Sequence, residues 1–349
     1  MLRCAIIGCG SIVEDLHMPA LKALPEVKLE AVCDTNHERL ANFGKRYGIT
    51  RLYDDIDKLV AVGRNLDFVL IATPGFTHFE ICRRIMEAGF NVLVEKPVAL
   101  SLNNTLALKN LADKRKIKAG IIQNYRYRDN VLKARQDLAL GRVGKVTQVN
   151  VVFHDKPVFN LPAPWSWEER KCKTLVYEVG LHYLDIETLF AGRVSRLIGA
   201  HSVYDRVLDC TERVHALFEH ENGAIGSIDL QFNASSNYTH VEIFGTANDI
   251  LLKFFPEYYR IYSGNVNPID EVWFDLKRIT DFAIPAVREK FFKVQIPRRA
   301  RSHFRLFKAY VEVLKGERER LPVSLEDVVP TMELAEEISK FTYGGQGDN

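Results

Sequence analysis

The sequence predicts an α/β chain, with a doubly wound parallel sheet in its first third and a strand-rich α+β region after it. Two observations carry this. Over residues 3–123 short apolar runs alternate with segments of helical period, as when crossover helices bury a sheet on both faces. Beyond residue 123 strands outnumber helices and glycine turns join them, the pattern of antiparallel hairpins. A length of 349 residues suffices for two cores. The change of pattern sets the expected domains at 1–123 and 124–349.

In the first region the strands are read at Cys4–Ile7, Leu29–Cys33, Phe68–Ala72, Asn91–Val94 and Ala119–Ile122. Helices are read at Met18–Leu24, Glu38–Tyr47, Thr77–Ala88 and Leu102–Arg115. Gly89 suits a helix C-terminus and Ser101 an N-cap. In the second region a helix is expected over Asp129–Leu140, ended by Gly141. Strands follow at Lys145–Phe153, Val214–Phe218, Ala224–Leu230, His240–Phe244 and Ile250–Phe254, with a turn at Glu221-Asn222-Gly223. Helices at Leu175–Phe190, Phe304–Leu314 and Leu325–Phe341 complete the reading.

Composition excludes several classes. An apolar share of 47% and a charged share of 26% are those of a globular protein. A net charge of +2 gives no case for nucleic acid as a partner. No run of about 18 apolar residues predicts a transmembrane segment. Met1-Leu2-Arg3 leads straight into a strand, too short for a signal peptide. Cys4, Cys9, Cys33, Cys82, Cys172 and Cys210 form no CxxC pair and read as free thiols in a reducing compartment, so a cytoplasmic location is expected. Asn233-Ala234-Ser235 and Asn237-Tyr238-Thr239 are chance matches to a glycosylation pattern on this reading.

Gly8-Cys9-Gly10-Ser11-Ile12-Val13 follows a strand and precedes a helix, the setting a dinucleotide fingerprint requires. Gly8 permits a tight turn, and Gly10 lets the backbone approach a pyrophosphate at a helix N-terminus. Val13 replaces the third glycine, so the fingerprint is incomplete. Asp34, at the end of the second strand, can accept a ribose hydroxyl hydrogen bond and would repel a 2′-phosphate. NAD is therefore expected over NADP. An ordinary turn at the glycines and a turn-forming Asp34 are the plain alternatives.

Further residues extend the pattern: His17 with Pro19-Ala20-Leu21, Ala72-Thr73-Pro74 with His78, Glu95-Lys96-Pro97, Asn124 with Arg126, Gly141-Arg142-Val143-Gly144, and Gly180-Leu181-His182-Tyr183-Leu184-Asp185. In these the chain resembles the glucose-fructose oxidoreductase / inositol dehydrogenase / rhizopine catabolism (GFO/IDH/MocA) family. The resemblance is dense over residues 3–190 and thinner beyond. It implies an N-terminal Rossmann domain, then a substrate-binding and oligomerisation domain built on a large, mostly antiparallel open sheet. It also implies hydride transfer between NAD(P) and a secondary hydroxyl or carbonyl of a sugar, cyclitol or nucleotide sugar. A homo-oligomer, dimer or tetramer, comes with it. By the same resemblance Gly8, Gly10 and Ser11 contact the pyrophosphate, Ile12 belongs to the cofactor-binding set, and Asp34 contacts the adenosine ribose. Thr73, Pro74 and His78 line the cofactor, with Glu95 and Asn124 on the nicotinamide side. Lys96 is catalytic, its peptide bond to Pro97 commonly cis, and His182 is the acid/base.

The chemistry agrees with the residue types. Oxidising an alcohol needs a proton acceptor beside the hydride acceptor. A lysine at the carboxyl end of a parallel strand can stabilise a developing alkoxide, and a histidine exchanges protons near neutral pH. Glu178, His182 and Asp185, spaced i, i+4 and i+7, are expected to form one polar helix stripe. With no matching ligand set elsewhere, no metal is assigned to it. Two features depart from the family pattern: Glu178 stands where relatives usually have Asp, and Lys171-Cys172-Lys173-Thr174 is bulkier than a glycine-rich approach. Arg126, Trp165, Trp167 and Tyr177 could meet a sugar, with core packing as the alternative for the aromatics. Arg288, Lys290, Lys293, Arg298, Arg299, Arg301, Arg305 and Lys308, with Phe291, Phe292 and Phe304, read first as a solvated basic face and second as a site for a phosphorylated ligand or a membrane surface. The rival functions are a non-catalytic nucleotide-sensing regulator on the same fold and an enzyme that recycles a tightly held NAD within one turnover.

Overall fold

The computed structural model describes residues 1–63, 65–156, 175–205, 210–232, 234–264, 267, 269, 272–273, 276, 280 and 296–343, with the side chains of 62, 210, 342 and 343 left out. The chain divides into two compact units, residues 1–127 with 295–329 and residues 128–294 with 330–349.

In the first unit six strands form one parallel sheet: β1 (Leu2–Ile7), β2 (Val27–Cys33), β3 (Arg51–Tyr53), β4 (Phe68–Ile71), β5 (Asn91–Glu95) and β6 (Ala119–Ile122), in the order β3-β2-β1-β4-β5-β6. β4 and β6 are buried along their whole length, as helices on both faces require. The chain leaves β1 for β2 on one side and returns to β4 on the other. A crevice therefore opens beyond the carboxyl ends of β1 and β4, where open α/β sheets bind ligands.

Between these strands lie α1 (residues 11–22), α2 (His37–Tyr47), α3 (Ile56–Val62), α4 (Gly75–Glu87) and α5 (Leu102–Arg115). Asn36 caps α2 through Arg39 N, and Ser101 caps α5 through Asn104 N at 3.2 Å. Gly89 has φ +91° just past α4, as expected of a glycine at a helix end. α1 starts earlier than the expected Met18, because a π turn over Val13–His17 precedes the regular helix Met18–Lys22. The apolar period that locates α1 is broken by this turn, so only its regular half is visible in the sequence. α8 (Arg301–Leu314) completes the unit: Leu306, Phe307 and Tyr310 join its core, and Tyr310 Oη donates to the carbonyls of Val92 and Lys118 at 2.9 and 2.8 Å.

The second unit is built on seven strands: β7 (Val146–His154), β8 (Val194–Asp205), β9 (Cys210–His220), β10 (Ile225–Gln231), β11 (Tyr238–Gly245), β12 (Asn248–Phe254) and β13 (Glu257–Ser263). Their order is β13-β12-β11-β7-β10-β9-β8, antiparallel except for β7 with β10. Burial alternates along β10, so one face is covered. α6 (Asp129–Ala139) and α7 pack in this unit, α7 being a π turn over Leu175–Gly180 continued as the helix Leu181–Ala191. Tyr183 of α7 meets Phe153 and Phe254 of the sheet. α9 (Leu325–Tyr343) begins in the first unit and ends in the second. β3, β8 and β13 carry weak sequence signals and were not expected: β3 is 3 residues long, and neither β8 nor β13 shows a continuous apolar run or a clean two-residue alternation. Among the described residues, no helix is long and apolar enough to cross a membrane.

Candidate active site

The glycine turn follows β1 directly. Gly8 has φ +95°, and a Cβ there would lie 2.5 Å from the Ala72 carbonyl oxygen, so the position admits glycine alone. A Cβ on Gly10 would meet no atom within 4 Å. The protein's own packing therefore does not demand glycine at residue 10, whereas a pyrophosphate lying against the backbone does. Ser11 and Ile12 open α1, and Gly10 O accepts from Val13 N and Glu14 N.

Asp34 is 8% exposed. Its Oδ2 accepts the Cys9 N–H at 2.8 Å and its Oδ1 the Asn36 N–H at 2.8 Å. It thus ties the glycine turn to the end of β2 while remaining a fixed anion at the crevice. Arg39 Nη1 lies 3.4 Å from Oδ2, an exposed partner the sequence reading overlooked; a basic residue five positions after the acidic one is its only signal. Cys4, Cys9, Cys33 and Cys82 are free and buried, and burial pushes the Cys9 and Cys33 thiols up to about 12. They are inert as nucleophiles.

Thr73 and Pro74 lie between β4 and α4, with Thr73 Oγ1 2.7 Å from Thr77 Oγ1. His78, 1% exposed, places Nδ1 2.7 Å from Pro97 O and Nε2 2.7 Å from Thr73 O. Both partners are backbone carbonyls, so the ring bridges the two loops that follow β4 and β5. The Lys96–Pro97 peptide is cis. Lys96, half-buried, follows β5 at the carboxyl edge of the sheet.

Glu95 is 5% exposed and accepts from His17 Nε2 at 2.7 Å and from Lys96 N at 3.2 Å. Burial alone would raise its carboxyl. The hydrogen bond and charge of His17, with the charges of His303 and Lys96, bring it below the ordinary carboxylate value. His17, Glu95 and His303 place one donor atom each within 4.8 Å of one another. Nothing local in the sequence announces this group, because His303 arrives on α8. Asn124, 8% exposed, donates to Ser302 Oγ at 3.1 Å, and Arg126, 8% exposed, donates to the Asp327 carbonyl at 3.0 Å. Both are held by the returning C-terminal segment of the same unit.

In the second unit Glu178 lies in the π turn of α7 and His182 in its first regular turn, both half-buried. The single helical stripe expected for Glu178, His182 and Asp185 is altered: i→i+5 bonding in the π turn takes Glu178 off the regular period. Asp185, 0% exposed, accepts from Thr331 Oγ1 at 3.2 Å. Tyr177 is 1% exposed, within the core of this unit.

Of the basic stretch, Arg305 donates to the Tyr127 carbonyl at 3.0 Å and Arg299 lies 3.6 Å from Asp15, so its described part is not one unbroken basic face. Trp165, Trp167, Lys171, Cys172, Lys173, Thr174, Arg288, Lys290, Phe291, Phe292 and Lys293 lie outside the described residues.

Residues 2–122 match the GFO/IDH/MocA model described as an oxidoreductase family with an NAD-binding Rossmann fold, and residues 131–250 match the GFO/IDH/MocA C-terminal domain. D-apiose dehydrogenase of Paraburkholderia graminis is 27% identical over 228 residues, 65% of this chain and 60% of that protein. Glucose-6-phosphate 3-dehydrogenase of Bacillus subtilis is 25% identical over 190 residues, 53% of each. The matched stretches therefore fall short of two thirds of either relative. Among solved structures, the WlbA dehydrogenase of Bordetella pertussis, in complex with NADH and UDP-GlcNAcA, has a TM-score of 0.79 at 18% identity, covering 99% of this chain and 96% of that one. The chain belongs to the GFO/IDH/MocA oxidoreductase family, and its N-terminal part is an NAD-binding Rossmann domain.

Proposed function

We propose that this protein is an NAD-dependent dehydrogenase that moves a hydride between nicotinamide and a secondary hydroxyl or carbonyl of a sugar, cyclitol or nucleotide sugar. The observation that carries this is the meeting of three features at the carboxyl edge of one parallel sheet. They are the open Gly10 turn after β1, the fixed Asp34 carboxylate after β2 and Lys96 after β5.

When bound, NAD supplies the hydride acceptor. Ser11, Ile12 and the Gly8–Gly10 backbone hold the pyrophosphate, and Asp34 accepts the ribose hydroxyls and disfavours a 2′-phosphate. Thr73, Pro74 and His78 shape the crevice beside the ring, with Glu95 and Asn124 supporting that side. Lys96 holds the reacting oxygen by its ammonium and stabilises negative charge as it develops. His182 takes the hydroxyl proton, with Glu178 as its carboxylate neighbour in the chain. Arg126 is assigned to substrate, held in place by the Asp327 carbonyl.

The test is NADH absorbance with a panel that includes D-apiose, glucose 6-phosphate and UDP-linked sugars. Lys96→Met is expected to abolish turnover with whichever compound reacts while NAD affinity survives. Turnover near that of the wild type would remove Lys96 from the chemistry. The same reading carries a homo-oligomer, and light scattering in solution tests it. Its support is the exposed Ile198 and Leu217 on neighbouring strands of the open sheet.

A further inference from the structure

The two oxygens of Glu95 are held from different sides. Oε1 receives His17 Nε2 at 2.7 Å and lies 4.0 Å from His303 Nε2, whereas Oε2 receives the backbone N–H of Lys96 at 3.2 Å. β5 ends at Glu95, so the carboxylate serves the first amide beyond the strand. On the far side of Lys96, the Pro97 carbonyl is taken by His78 at 2.7 Å. The backbone that carries the lysine is gripped on both flanks.

His17 is itself immobilised. It ends the π turn of α1, is 0% exposed, and its ring lies 5.4 Å from that of His303 and 5.3 Å from that of Phe307. His303 and Phe307 share one face of α8, four residues apart. A buried carboxylate is costly unless it is paired; here two histidines from distant parts of the chain converge on it.

The same three side chains could be read as metal ligands, but the spacing disfavours it. Two donors each about 2.1 Å from a tetrahedral zinc stand about 3.4 Å apart. His17 Nε2 and Glu95 Oε1 are at 2.7 Å, the distance of a charge-assisted hydrogen bond.

We infer that His17 and His303 are positioning residues for Lys96: they hold the Glu95 carboxylate, and Glu95 fixes the backbone amide from which the lysine side chain is presented. The importance of this clamp for turnover rests on the role proposed above for Lys96, but the clamp can be read without any substrate.

The experiment is hydrogen exchange of the Lys96 amide in full-length, 15N-lysine-labelled protein, with its signal assigned by its absence from Lys96→Arg. His17→Leu is expected to speed exchange at that amide about tenfold or more, as loss of a local protecting hydrogen bond does, while the lysine amides elsewhere in the same unit, Lys28 in β2 and Lys109 in α5, keep their rates. His17→Gln, which retains an N–H donor, restores slow exchange. Glu95→Ala matches His17→Leu, and the double variant goes no further. His303→Gln gives a smaller increase in the same direction and serves as the probe if His17→Leu does not fold.

Unchanged exchange in the folded variants would overturn the clamp. So would equal acceleration at Lys28 and Lys109, which would mark a general loss of stability. Stoichiometric zinc in the purified protein, lost with His17, would replace the clamp by a metal site. If Lys96→Met keeps full turnover, the proposed chemistry fails while the exchange data still decide the clamp.

Discussion

Two glycines two residues apart in the same turn are predicted to fail in opposite ways. In Gly8→Ala the new methyl would lie 2.5 Å from the Ala72 carbonyl oxygen and 2.8 Å from its carbon, at φ +95°. Ordinary contact begins near 3.4 Å, so the end of β4 must shift by most of an ångström. The backbone strain costs about 1–3 kcal/mol and the overpacking about 1–3 kcal/mol more. That is a large part of a typical total stability of about 5–15 kcal/mol. In Gly10→Ala the methyl meets nothing within 4 Å, so stability should hold or rise by about 0.4–1 kcal/mol through a less flexible unfolded chain. Its cost falls on the cofactor instead: NAD affinity should drop by about tenfold or more, or about 1.4 kcal/mol. Urea denaturation and calorimetric titration with NAD measure the two effects separately. If Gly10→Ala binds NAD as wild type does, the pyrophosphate does not lie on this turn and the proposed cofactor placement is wrong. If Gly8→Ala is as stable as wild type, the steric argument is wrong.

Asp34→Ser is expected to raise the preference for NADP. It removes a fixed anion whose repulsion of a phosphate about 4 Å away is worth about 1–4 kcal/mol, and it leaves Arg39 to pair with the phosphate; an unchanged ratio of NAD to NADP affinity would refute this. Tyr310→Phe should cost about 1–2 kcal/mol in urea denaturation, because the Val92 and Lys118 carbonyls lose their shared donor, with NAD affinity unaltered.

The buried pair Glu187–His220, at 2.6 Å and 0% exposed on both sides, should make stability fall as pH rises. Burial lifts the Glu187 carboxyl to about 7, only partly opposed by His220. Burial alone would lower the His220 imidazole, but its bonds to Glu187 and the Gly192 carbonyl raise it. Both folded values thus lie above the unfolded ones, so the native state keeps a proton that the unfolded chain releases. The pair's contribution is present in full at low pH and declines from about pH 5 to beyond pH 7. The urea midpoint of wild type, relative to that of Glu187→Gln, should fall over that range, whereas a flat difference would contradict the assignment. His220→Leu, which strands the carboxyl, should cost about 3–5 kcal/mol at neutral pH.

What the sequence determined by itself was everything that local physics writes into a short window. The alternation of buried strands and helices, the cap at Ser101, the glycine turn after β1 and the lysine after β5 all lie within a few residues of their causes. β8 and β13 were missed because their residues do not alternate cleanly between covered and open faces. The two π turns were missed because an extra residue per turn shifts the helical period without announcing itself: α1 was read only from Met18, and Leu175–Gly180 was read as ordinary helix.

Tertiary structure alone decided what the candidate site rests on. His17 and Glu95 are 78 residues apart, and His303 reaches them only because α8 folds back into the first unit. Asn124 and Ser302 are separated by 178 residues, Arg126 and Asp327 by 201. Pairings over such distances depend on which helix returns to which sheet, a choice made by burial of whole apolar faces and not by any short motif.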